Sequence, residues 1–248
     1  MQSVMIQLFF CLILTCPALA DESSEMRPII LMLLGPPGSG RDVLAVKISS
    51  AYSLPHIATA DLLLDYSEDE SETGRITRDC LNSGSIPDEL LMRLIADRVR
   101  RTDCLRGFLL DGFPQTLDQA RALKAQFGIK FRLLPTYIRT SDKGLVNFHE
   151  ARLVCTNCGR VYHLDHSPPQ HEELCDLCGY ELTQRNDDAP EHRQKLYEGY
   201  RSKVQPLLTY YSQEGLLVEI EGNRSFEQMF QDVRMLLNTQ QIPTKTNE

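Results

Sequence analysis

The chain has 248 residues, 42% of them hydrophobic, and a formal net charge of -8 at pH 7. That apolar content suffices for one or two domain cores and excludes a disordered chain. The acidic balance excludes nucleic acid as the main partner, because such binding rests on a basic surface that neutralises backbone phosphates.

Residues 1–20 read as a secretory signal. Ile6 to Leu14 is almost wholly apolar, and Ala18-Leu19-Ala20 before Asp21 matches a small-residue cleavage pattern. Against that, Met1 to Met5 contains no lysine or arginine, and Met26 would serve as a start just ahead of the first strand. Two compartments therefore stand open: exported, periplasmic or secreted, if the signal is real, and cytoplasmic if translation begins at Met26. The apolar run is too short for a membrane span, so no membrane association is expected once a signal has left.

From residue 26 to residue 237, strand-like apolar segments alternate with amphipathic helical ones. This predicts an α/β domain with a largely parallel sheet. Strands are expected at Ile29 to Leu34, Leu54 to Ile57, Phe108 to Leu110, Phe131 to Ile138 and Leu216 to Glu221. Helices are expected at Arg41 to Ala51, Thr59 to Tyr66, Thr77 to Asn82, Asp88 to Arg101, Thr116 to Phe127, Glu191 to Gln213 and Phe226 to Leu237. In the helix from Asp88, the residues Leu90, Leu91, Leu94, Ile95 and Val99 share one face. Between Phe148 and Asp188 the period is lost, and turn residues with paired cysteines indicate a small inserted lobe.

Gly35-Pro-Pro-Gly-Ser-Gly40 follows the first apolar run and leads into a helical pattern. Gly35, Gly38, Ser39 and Gly40 read as a phosphate-binding loop: glycines at its bends let backbone N–H groups crowd around phosphate oxygens, and the helix behind adds its positive dipole end. The next three residues suit phosphate poorly. Arg41 stands where a lysine is expected, Asp42 adds a carboxylate, and Val43 offers no hydroxyl.

Cys155-Thr-Asn-Cys158 and Cys175-Asp-Leu-Cys178 form two C-x-x-C knuckles, each followed by glycine. Two knuckles can present four thiolates to a zinc ion at about 2.3 Å, and with every position filled by protein the metal would be structural. In an oxidising compartment the same cysteines also suit disulfides. Cys80 and Cys104 read as buried thiols, and His163, His166 and His171 as surface residues.

The strings Leu54-Pro-His-Ile-Ala-Thr-Ala-Asp61, Ile86-Pro-Asp-Glu-Leu90, Leu109-Leu-Asp-Gly-Phe-Pro114, Val161-Tyr-His163 and Gln184-Arg-Asn-Asp-Asp188, in order with the loop and the cysteine lobe, resemble the zinc-containing long-form adenylate kinases. The resemblance implies a P-loop nucleoside monophosphate kinase fold with a five-stranded parallel sheet, a monophosphate-binding flap at 59–101 and a zinc-stapled lid at 148–188. It also implies a monomer that converts ATP plus AMP to two ADP. By the same resemblance Asp111 organises the magnesium that accompanies ATP, Thr59 and Gln119 contact the monophosphate nucleotide, Arg152 and Arg185 are lid-side cations, and Arg193 or Lys195 supplies a further charge. Arg41 takes the place of the loop lysine.

Each of these has a plainer reading: Asp111 as a strand-end cap, Gln119 as an exposed helix residue, Arg185 with Asp187 and Asp188 as a solvated cluster worth little. The departures are specific. Leu64, Gln115 and Phe148 stand where the family carries arginines, and phosphoryl transfer depends on cations that neutralise spreading negative charge. A phosphotransferase with weak or lost activity is the expectation; a non-catalytic nucleotide-binding pseudokinase and an exported zinc-stapled interaction domain are the alternatives.

Overall fold

The computed structural model describes residues 27–141, 152–158, 161–164, 168–184 and 190–242. The signal-like segment, Met26, Phe148, His166 and Arg185 lie outside the described residues, as do the side chains of Arg152, His163, Arg193 and Lys195.

Five strands, β1 (Ile29–Leu34), β2 (His56–Ala58), β3 (Gly107–Asp111), β4 (Arg132–Arg139) and β8 (Val218–Glu221), form one sheet in the order β2-β3-β1-β4-β8. Every neighbouring pair is parallel. A parallel strand covered on both faces must be apolar throughout, and all six residues of β1 are buried. Its side chains divide by alternation. Ile30, Met32 and Leu34 join the core beneath α4 (Asp88–Val99), α5 (Leu117–Phe127) and α6 (Pro190–Gln213). Ile29, Leu31 and Leu33 join the core beneath α1 (Arg41–Tyr52) and α7 (Phe226–Thr239). The flap adds α2 (Thr59–Ser67) and α3 (Glu72–Ser83), which pack on each other ahead of α4. Among the described residues, no helix is long and apolar enough to cross a membrane.

Three predicted boundaries move for local reasons. The strand expected from Leu54 begins at His56, because Pro55 has no N–H to donate; its carbonyl instead accepts from Leu109 at 2.9 Å. The helix expected from Thr77 begins at Glu72, where the Ser71 hydroxyl accepts the Gly74 N–H at 3.2 Å and caps a first turn that has no large apolar residue before Ile76. The last strand begins at Val218 because the N–H groups of Leu216 and Leu217 fold back on the Tyr211 carbonyl, at 3.0 and 3.2 Å. On α4, Met92 is buried along with Leu90, Leu94, Ile95 and Val99, whereas Leu91 is only half-buried.

The cysteine lobe is a separate antiparallel sheet of β5 (Arg152–Cys155), β6 (Val161–His163) and β7 (Leu182–Thr183), in the order β6-β5-β7. Its buried core consists of Cys155, Tyr162, Cys175 and Leu182. Four side chains are too few to stabilise such a unit by apolar burial alone.

Leu31→Ala, in the centre of β1, is expected to cost about 2–5 kcal/mol through lost burial and the cavity left behind. Urea unfolding followed by circular dichroism reads this as a lower midpoint with an unchanged slope.

Candidate functional site

The carboxyl ends of β1, β2 and β3 meet at one edge of the sheet, the crevice where open parallel sheets take ligands. Register sets the meeting: Leu33 pairs with Asp111, and Asp111 pairs with Ala58. The phosphate loop leaves β1 here. Gly40, at the N-cap of α1, has φ 75°, and Gly38 has φ 80°, the left-handed region where glycine carries no Cβ penalty. At Gly35 a Cβ would come within 2.6 Å of the Ser39 hydroxyl. That hydroxyl is buried and lacks a hydrogen-bond partner among the described residues. An unspent donor in a glycine cradle at a helix N-terminus is chemically matched to a phosphate oxygen.

The three residues after the loop behave differently from one another. Asp42 Oδ1 accepts the Val43 N–H at 2.9 Å, so a carboxylate already occupies one donor of the helix start. Val43 packs against the apolar cluster beneath α1 and α7. Arg41 turns to the end of β3: its Nε lies 2.5 Å from Asp111 Oδ1 and its Nη1 donates to the Gly35 carbonyl at 3.1 Å. The Nε contact is an ion pair without hydrogen-bond alignment, since Oδ1 has no aligned donor. His56 Nε2 sits 3.3 Å from the other oxygen, Oδ2. Burial pushes the Asp111 carboxyl up, but the Arg41 charge and the His56 hydrogen bond outweigh it and hold it below the usual carboxylate range. Asp111 is therefore a buried, doubly held carboxylate, which is more than a strand-end cap.

On the flap side, Thr59 Oγ1 donates weakly toward the Asp111 and Gly112 carbonyls, at 3.5 and 3.4 Å. Gln119 is buried, which overturns its reading as an exposed helix residue. Its Nε2 donates to Asp88 Oδ1 at 2.7 Å, and its Oε1 accepts the Gln115 N–H at 2.7 Å. The Gln115 side chain donates to the Gly112 carbonyl at 2.8 Å. Leu64 is 57% exposed, although Leu62 and Leu63 beside it are buried. A cavity of about 120 Å³ between the loop, the segment after β3 and α6 is lined by Pro37, Arg41, Gly112, Gln115, Tyr200 and Val204. Burial pushes the Tyr200 hydroxyl well up, so it stays a neutral donor there.

In the lobe the four cysteine Sγ atoms lie within 4.8 Å of one another. Cys155 and Cys178 are 3.4 Å apart and Cys158 and Cys175 are 3.5 Å apart, and none is in a disulfide. Tetrahedral ligands about 2.3 Å from a zinc ion lie about 3.8 Å from each other, so this set fits such an ion. Tyr162 orients it: its hydroxyl accepts the Asp176 N–H at 2.8 Å and lies 3.4 Å from Cys175 Sγ. Burial pushes the Cys175 thiol up, but hydrogen bonds from Tyr162 and from the Leu177 and Cys178 backbones outweigh it, bringing it down to about 6. A thiol poised to ionise is what a metal ligand needs. His171 is exposed, as expected, and Cys104 is buried, with Cys80 half-buried.

The adenylate kinase family model matches residues 33–216. The chain belongs to the adenylate kinase family. It is 37% identical over 210 residues to an adenylate kinase of Caldanaerobacter subterraneus subsp. tengcongensis, covering 84% of this chain and 95% of that protein. An adenylate kinase of Syntrophomonas wolfei is 39% identical over 213 residues, covering 84% and 99%. One from Archaeoglobus fulgidus is 34% identical over 210 residues, covering 84% and 97%.

In this adenylate kinase relative the loop, Asp111, Thr59 and Gln119, each singled out in the sequence, come together beside the carboxyl ends of the strands. Sequence reasoning had missed His56, Asp88 and Tyr200. Signals for His56 and Asp88 existed, in the Leu54-Pro-His-Ile and Ile86-Pro-Asp-Glu strings; Tyr200 reaches the site only through packing.

The depressed Asp111 carboxyl sets a pH dependence. Its ion-pair stability is present above the unfolded value of 3.8 and is lost as pH falls through the lower folded value. Asp111→Asn should therefore cost about 3 kcal/mol at neutral pH, by leaving the Arg41 charge unpaired. The gap from wild type should narrow as pH drops below 3.8, as read by urea unfolding at a series of pH values; a constant gap would refute it.

Proposed function

We propose that this chain is a nucleotide-binding member of its family in which phosphate transfer from ATP to AMP is weak or lost, with a zinc ion held structurally by Cys155, Cys158, Cys175 and Cys178. One observation carries the reading. At two positions where the family resemblance calls for arginine, an exposed Leu64 and a Gln115 bonded to the Gly112 carbonyl offer the acceptor's phosphate no charge. A hydrogen bond to a charged group contributes about 1.5–3 kcal/mol, so two losses weaken AMP binding severely. One arginine acting in the transition state is worth about 10³–10⁵ in rate. ATP keeps more of its site: the glycine cradle, the unspent Ser39 hydroxyl and the Arg41 charge.

The test mixes the full chain with ATP, magnesium and each nucleoside monophosphate in turn. Diphosphate should form at least about a thousandfold more slowly than with the Syntrophomonas wolfei relative assayed alongside, in line with lost transition-state cations. Calorimetry should detect ATP but not AMP, and the triple change Arg41→Lys, Asp42→Gly, Val43→Thr should raise ADP formation. Rapid ADP formation by the wild type would end the proposal.

For the lobe, metal analysis should find one zinc per chain, lost in Cys155→Ser, and chelation should lower the melting temperature. Absence of zinc together with unreactive cysteines in a thiol assay would mark disulfides instead.

A further inference from the structure

The family chemistry implies magnesium beside ATP, and the donors at this site can be tested against it. Magnesium demands a near-octahedral oxygen shell at about 2.0–2.1 Å and is usually held by one or two carboxylates together with phosphate oxygens. Two carboxylates flank the loop among the described residues. Asp42 spends Oδ1 on the Val43 N–H. Asp111 has both oxygens engaged, Oδ1 facing Arg41 Nε at 2.5 Å and Oδ2 facing His56 Nε2 at 3.3 Å. The hydroxyl position after the loop is Val43, packed into an apolar cluster. A divalent ion approaching Asp111 would meet a guanidinium on the same oxygen, and two cations that close repel strongly where water is scarce. The residues present do not fit magnesium.

We propose that Arg41 is a built-in replacement for the magnesium ion, so that the site takes a nucleotide polyphosphate free of metal. This rests on the nucleotide-binding reading above and deepens it. Arg41 does what the ion would do electrostatically. Its Nε neutralises Asp111, and its Nη1 anchors the charge to the Gly35 carbonyl at the start of the loop. Its Nη2 has no hydrogen-bond partner among the described residues, and 26% of the side chain is exposed, beside the cavity between the loop, the segment after β3 and α6. A planar guanidinium suits phosphate oxygens in a way a compact ammonium does not. The buried Ser39 hydroxyl adds a second unspent donor in the same loop. His56 acts as a positioning residue, holding Oδ2 so that Oδ1 stays turned to Arg41.

The experiment titrates the full chain with ATP by calorimetry, once with excess EDTA and once with excess magnesium chloride. The affinity in EDTA is expected to match or exceed that in magnesium to within about threefold, well under the tenfold step that 1.4 kcal/mol represents. Binding that needs magnesium overturns this inference and leaves the nucleotide-binding reading intact. No binding in either buffer overturns both. In Arg41→Gln, with Asp111 Oδ1 released, ATP binding should become magnesium-dependent by about tenfold or more; metal independence retained in that variant would remove Arg41 from the role. Should the variant not fold, Mn²⁺ alone is added to the wild type and water-proton relaxation is read. No enhancement supports the proposal, and tight Mn²⁺ binding defeats it.

Discussion

Strand β1 is buried over all six of its residues, and that burial decides where every polar group of the domain must gather. A strand apolar on both faces leaves no room for chemistry along its length. The chain can turn polar only where the strand ends, and the parallel neighbours β2 and β3 end beside it. The glycine loop, Asp111 and Thr59 are neighbours for this reason. Asp111 is itself buried at this edge, so its charge must find a partner in the protein or in a ligand.

Inside that edge, the positive charge has been redistributed. Arg41 points into the protein at Asp111, and Gln115 and Leu64 offer the flap side an amide already spent and an apolar side chain. The hydrogen bonds that remain link protein to protein: Gln119 to Asp88, Gln115 to Gly112, His56 to Asp111. In a working transfer site those donors would stay idle until a substrate arrived. Here those side chains are engaged by the protein itself, while the buried Ser39 hydroxyl keeps a donor unspent in the loop.

Much of this was legible in the sequence because it is written in local patterns. Apolar runs marked β1 and β3, glycine spacing marked the loop, and the two knuckles marked the cysteine cluster. Boundaries were less legible wherever one hydrogen bond decided them, as at Pro55, Ser71 and Leu216. The contacts across the site were not legible at all. His56 meets Asp111 across 55 positions and Gln119 meets Asp88 across 31, and no periodicity encodes such a pairing. The sequence shows that Gln115 is neutral; only the fold shows that its amide is bonded to the Gly112 carbonyl.

Val43 carries a further consequence. Because it is half-buried against the apolar layer beneath α1 and α7, a hydroxyl placed there would sit partly among hydrocarbon neighbours unless a ligand engaged it. The loop's chemistry and the packing of α1 are thus tied together at one side chain, so a hydroxyl at this position trades part of the helix's apolar contact for a phosphate-directed donor.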